Sequence, residues 1–175
     1  MVSLVHIISQ SLAKVNTPYQ EVYLMNRPIG VENPEVCKVC GGKCCKTYPG
    51  LATPEDFGAP DIEKLKKNLF KALSSGRWTV DWVKQEEGLY FVRPAVKGFE
   101  GSVFDHRYTG ECTFLTQTGC KLSFENRPES CRMLIPKIDE RCDSQGYTRA
   151  VVAQRWKEYY DILIDVAIDV ENSNF

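Results

Sequence analysis

Cys37-Lys38-Val39-Cys40-Gly41-Gly42-Lys43-Cys44-Cys45 places four thiols in nine residues, and the organisation of the chain follows from where those sulfurs find partners. Cys37 and Cys40 are two residues apart and are followed by glycine. In such a loop both sulfurs face one metal ion while backbone N–H groups point at the thiolates, and glycine supplies the positive φ the turn needs. Read as extended backbone, Cys44 and Cys45 point to opposite sides, which suits two centres, or one ligand and one packed thiol.

The remaining cysteines lie far downstream at Cys112, Cys120, Cys131 and Cys142, so the two groups meet only across about seventy intervening residues. Eight thiols serve two four-thiolate sites or one such site with spare thiols, and the spacing leaves both arrangements open. Ligands that are all thiolate select zinc or an iron–sulfur cluster and exclude magnesium and calcium. Close runs joined to a remote cysteine are how cubane clusters are commonly held, and the lack of a clear histidine ligand tilts the expectation toward a 4Fe–4S cluster over zinc. His106 reads as a solvent-exposed loop residue, and His6 carries still less signal. Arg127 and Arg132 are placed to meet carboxylates or to offset the negative charge of a thiolate-rich centre. Pro128 starts a short helical turn bearing Cys131.

The chain around these cysteines has 175 residues, enough to bury a core without help from metal. Its 22 basic and 23 acidic residues form no basic stripe, so nucleic acid is not an expected partner. The segment 1–15 lacks a basic leader region and reads as part of the folded protein. The C-terminal apolar pattern carries Arg155, Lys157, Glu158, Asp161, Asp165 and Asp169, too much charge to cross lipid. The expectation is a soluble, cytoplasmic protein with no membrane association. In a reducing compartment its eight cysteines fit metal ligation better than disulfides.

The fold expected is α+β, one small domain over 1–175 in which short hairpins and cysteine-bearing loops lie between helices at the two ends. A helix is predicted over 3–15 and a loop over 26–34. Thr53, Pro54, Glu55 and Asp56 start a short helix. Asp61 caps a second, with Ile62, Leu65, Leu69, Ala72 and Leu73 on one face and an end at Ser74 to Gly76. Alternation from Trp78 to Trp82, then β-type residues from Leu89 to Val96, predicts a hairpin. A second hairpin is predicted where 112–115 and 120–124 flank Gln117-Thr118-Gly119, with cysteines at its edges. Val152, Trp156, Tyr159, Leu163, Val166 and Val170 predict one continuous C-terminal helix, its seam packed on the domain's own core, with a homodimer as the other use of that seam. Asp161, Asp165 and Asp169 read as a solvated face.

The ordered set Cys37-x2-Cys40-x3-Cys44-Cys45, then Cys112-Thr113-Phe114-Leu115, Cys120, and Arg127-Pro128-x2-Cys131-Arg132 resembles the YkgJ-type cysteine-cluster family, described as zinc- or iron-chelating. Flagellin lysine N-methylases carry a similar cluster. The resemblance covers 37–136 and implies that Cys37, Cys40, Cys44, Cys45, Cys112, Cys120 and Cys131 are metal ligands; Cys142 lies outside the motif and joins them as a candidate. Three functions follow: a thiolate metal protein, a metal-dependent enzyme modifying a protein partner or performing redox chemistry, and a thiol–disulfide protein. No glycine-rich cofactor loop follows a strand and no βαβ pattern surrounds Cys37-x2-Cys40, which sets the second and third behind the first.

Overall fold

The computed structural model describes residues 38–135, 137, 142 and 144–173. The helix predicted over 3–15, the loop over 26–34 and Cys37 lie outside the described residues. In chain order the elements are α1 (Lys43–Thr47), α2 (Ile62–Ser74), β1 (Trp78–Lys84), β2 (Leu89–Pro94), β3 (Leu115–Thr116), β4 (Gly119–Cys120), α3 (Glu129–Arg132), α4 (Arg149–Trp156) and α5 (Tyr160–Ser173). The architecture is α+β.

β1 and β2 form the predicted antiparallel hairpin, with Val80 opposite Val92 and Trp82 opposite Tyr90. β-branched and aromatic pairs of this kind are what stabilise a two-stranded ladder. Single bridges widen it on both sides, Ala52 to Val92 and Phe104 to Val80. The expected alternation of buried and solvated side chains fails in β1: Thr79, Val80 and Asp81 are all fully buried. The bridge at Phe104 accounts for this, since the chain at 103–105 covers the face that a lone hairpin would leave in water.

The charge this buries is matched. Arg93 on β2 donates from Nε to Asp81 Oδ2 at 2.7 Å and from its terminal nitrogens to the Pro94 and Asp105 carbonyls, with the Asp105 carboxylate at 3.4 Å. A guanidinium out of water is tolerated because every face of it finds an acceptor.

α2 begins where predicted, its first turn capped by the Asp61 carboxylate accepting from Lys64 N at 3.0 Å. Leu65, Leu69 and Leu73 are buried at four-residue intervals, while Ile62, expected on that face, is exposed in the first turn. The predicted continuous C-terminal helix is interrupted: a 3-10 turn, Lys157–Tyr159, separates α4 from α5. The seam survives, with Val152, Trp156, Leu163, Val166 and Val170 buried. The two halves answer to different partners, α4 to β2 and α5 to α2. Trp156 Nε1 donates to the Ala52 carbonyl at 2.8 Å and pins the end of α4 to the widened sheet, so the backbone tightens there before α5 turns toward α2. Asp161, Asp165 and Asp169 are exposed, as read from sequence.

The second hairpin is much shorter than predicted, two residues in each strand. Phe124 lies beyond β4 in a 3-10 turn, Phe124–Asn126, which stops at Arg127, held extended before a proline. Cys120 pairs with Leu115, and Cys112 bridges to Val96 instead. No helix among the described residues is long and apolar enough to cross a membrane.

Replacing Arg93 by Met takes the buried cation from between two buried carboxylates, Asp81 and Asp105, and urea unfolding should show a loss of about 3 to 5 kcal/mol. Leu69→Ala on α2 should cost about 2 to 5 kcal/mol by the same measurement, through the cavity it opens.

Candidate metal centre

Cys44 and Cys45 lie in α1, a helix of little more than one turn that starts at Gly42, whose φ is 72°. A side chain there would also strike Leu115. Extended geometry, which would send the two thiols to opposite sides, is therefore corrected: in a helix neighbours diverge by roughly a quarter turn, and the Cys44 and Cys45 sulfurs stand 3.9 Å apart.

Backbone hydrogen bonds bring the downstream cysteines to this turn. Cys112 N donates to Cys45 O at 2.7 Å and Gly110 N to Thr47 O at 2.9 Å. The same segment is tied to the end of the central hairpin, Thr113 N to Ala95 O at 3.0 Å and Lys97 N to Glu111 O at 2.8 Å. Main-chain pairing thus closes the interval of about seventy residues between the cysteine groups.

Cys131 arrives on α3, whose entry at Pro128 follows the prediction. Ser130 Oγ accepts from Leu51 N at 2.6 Å, and Gly50 next to it has no room for a side chain, since a Cβ there would overlap the Cys131 sulfur. Behind the turn, Asp56 Oδ2 accepts from Thr53 N at 2.9 Å and from Glu129 N at 2.8 Å, while Oδ1 receives Arg132 at 2.7 Å. Buried Glu129 takes Thr53 Oγ1 at 2.8 Å and the Tyr147 hydroxyl at 2.5 Å, with Arg155 at 3.3 Å. The expectation that Arg132 meets a carboxylate is met at Asp56. Arg127 lies over the Phe124 ring and donates to the Leu122 carbonyl.

The thiols sense one another. A hydrogen bond from the Cys45 thiol, aided by backbone N–H groups and Cys142 against the opposing effect of burial, lowers Cys44 to about 6. Cys45, as that donor, is pushed up, and burial and the neighbouring cysteines push it further. Burial raises Cys112 to about 11, with Cys120 and Cys44 contributing. Burial also raises Cys131, reinforced by Cys112, Cys44, Cys120 and the Asp56 carboxylate. Asp56 is itself raised by burial, against Arg132 and two backbone N–H groups that favour its charged form.

Six thiols, Cys44, Cys45, Cys112, Cys120, Cys131 and Cys142, therefore share one electrostatic neighbourhood. Cys142, outside the recognised motif, lines the same cavity as Cys44 and is the weakest of the influences that lower it. Cys40 joins Cys44, Cys45, Cys131 and Cys142 along the wall of a cavity of about 610 Å³. Cys44, Cys45, Cys112, Cys120, Cys131 and Cys142 are free thiols. Among the described residues no three His, Cys, Asp or Glu side chains stand together closely enough to hold one metal ion. The donor set nevertheless fits a soft metal: every group is a thiol, they come from separate segments, and the Arg132 guanidinium next to Cys131 is bonded to Asp56.

His106 is half exposed, as expected, but it is not a lone loop residue. Its Nδ1 lies 2.7 Å from the fully buried Asp81 and its ring stacks on Trp82 at 4.6 Å. Sequence reasoning passed over Asp56, Glu129, Gly50 and Arg149. Only Asp56 had a local signal, as an acid in a first helical turn, and its second use at α3 is a tertiary contact.

A family model, CxxCxxCC, described as "Putative zinc- or iron-chelating domain", matches residues 36–148. No curated protein and no solved structure matches the chain.

In protein stripped of metal, iodoacetamide at pH 7 should label Cys44 well before Cys131 by peptide mass mapping, because the Cys44 thiolate is present down to about pH 6. Gly50→Ala should displace Cys131, and bound metal per chain, measured by elemental analysis, should fall.

Proposed function

The chain belongs to the CxxCxxCC family, and on that premise we propose that it is a metal protein whose thiolates, Cys37, Cys40, Cys44, Cys45, Cys112, Cys120, Cys131 and Cys142, supply the ligands for an iron–sulfur centre of the 4Fe–4S type. The observation that carries this reading is the convergence of six described thiols from three separated stretches of chain, with no histidine among them. Zinc is the competing metal for the same donors. A cluster bound here would accept and release single electrons.

The chain's own contribution is placement. α1 presents two neighbouring sulfurs, the main-chain clasp at Cys112 holds the second group against them, and the Asp56 and Glu129 networks fix the turn bearing Cys131. The Arg132 guanidinium, bonded to Asp56, offsets negative charge gathered near Cys131. A protein-modifying or redox enzyme is the second reading, favoured by one feature: five thiols face an open cavity rather than a closed knot of ligands.

Protein purified with and without oxygen should contain stoichiometric iron and acid-labile sulfide in the anaerobic sample, with broad visible absorption. Zinc without sulfide would replace the cluster by a zinc site, and neither metal under both conditions would overturn the reading. Cys131→Ser and Cys44→Ser should each lower the metal content, while circular dichroism stays close to that of the parent chain.

A further inference from the structure

The cavity that the thiols line is also lined by positive charge. Lys43, Arg93, Lys137 and Arg149 line it, and no Asp or Glu is among its described lining residues. Two of these cations are committed or otherwise engaged: Arg93 is spent on Asp81 and Asp105, and Lys137 has contacts of its own. Arg149 is different. It has no carboxylate partner among the described residues, and its guanidinium lies 3.8 Å from the centre of the Tyr108 ring. A guanidinium stacked on an aromatic face keeps its N–H donors free in the ring plane, where they suit a planar or tetrahedral oxyanion.

Arg149 is also the first residue of α4, after the N-cap Thr148, and that first turn contains no acid. A cation at the positive end of a helix is electrostatically unfavourable. A locally poor choice facing a cavity is where a functional demand is expected. Tyr108 in turn is braced by His106, edge-on at 6.1 Å, and His106 by the Trp82 stack and buried Asp81. The platform beneath Arg149 is thus held from the sheet.

We propose that this cavity is a seat for a small oxyanion, a carboxylate or a phosphate, with Arg149 as its principal donor, Tyr108 as the platform that orients it and Lys43 as a second cation at the rim. The anion sits beside the thiolate centre and is the class of small molecule that reaches it. This rests on the cavity and its cations; it adds a ligand to the metal reading, and either can fail without the other.

Calorimetric titration of the full-length protein as isolated, at low ionic strength, tests it with malonate and with inorganic phosphate as probes and chloride as reference. Metal content is measured on the same sample. At least one probe should bind saturably and in preference to chloride, malonate alone marking a carboxylate seat and phosphate alone a phosphate seat. Arg149→Gln should weaken that binding by about tenfold or more, the loss of a charge-assisted donor. Tyr108→Leu should weaken it as well, and Lys64→Gln on the exposed face of α2 should leave it unchanged. No saturable binding of either probe, binding no stronger than that of chloride, or equal affinity in Arg149→Gln at unchanged circular dichroism would overturn the proposal. Anion binding that responds to Arg149 in a protein lacking metal would sustain it while the metal reading falls.

Discussion

A single carboxylate, Asp56, holds together parts of the chain that the cysteines need side by side. One oxygen accepts the backbone N–H of Thr53, closing the turn after Gly50 and Leu51, and that of Glu129, opening α3; the other receives Arg132. The turn carrying Cys131 is therefore registered against the stretch that leaves α1. The bonds of Ser130 with Leu51 and of Glu129 with Thr53 run alongside it and fix the same relation of Cys131 to Cys44 and Cys45. The burial of Asp56 is sustained by the charge of Arg132 and by two oriented N–H dipoles.

The cysteine region is assembled mainly by such borrowed contacts, not by regular structure of its own. β3 and β4 are two residues each, α3 is four and α1 five. Elements this short do not stand alone. They are anchored to the hairpin of β1 and β2, with its helical cover, through Ala52, Ala95 and Lys97, so the stable part of the molecule lends rigidity to the part that carries the thiols. Arg93 belongs to both, buried in the sheet and reaching the cavity wall.

What was legible in the sequence divides along the same line. The α2 helix, its Asp61 cap and the main hairpin were readable because apolar periodicity and capping residues are local signals. The family was readable because eight cysteines, four of them within nine residues, are a chemical signature that needs no tertiary contact to be seen. The conformation of Cys44 and Cys45 was not, since helix against extended chain over five residues is decided by the contacts of Cys45 O and Thr47 O with the segment at 110–112. Nor was the break at 157–159, which depends on Trp156 finding the Ala52 carbonyl 104 positions away. Asp81 and Arg93 carried a faint signal, opposite charges on facing strands, that the apparent alternation of β1 concealed.

The bond from Trp156 to Ala52 also makes α4 a strut fixed at one end. Its other end carries Arg149, and Ala52 lies two residues beyond Gly50, against which the Cys131 sulfur rests. The guanidinium and the thiol are thereby both referred to Ala52, through α4 on one side and through Gly50 on the other, so the packing of Trp156 bears on how far apart they stand.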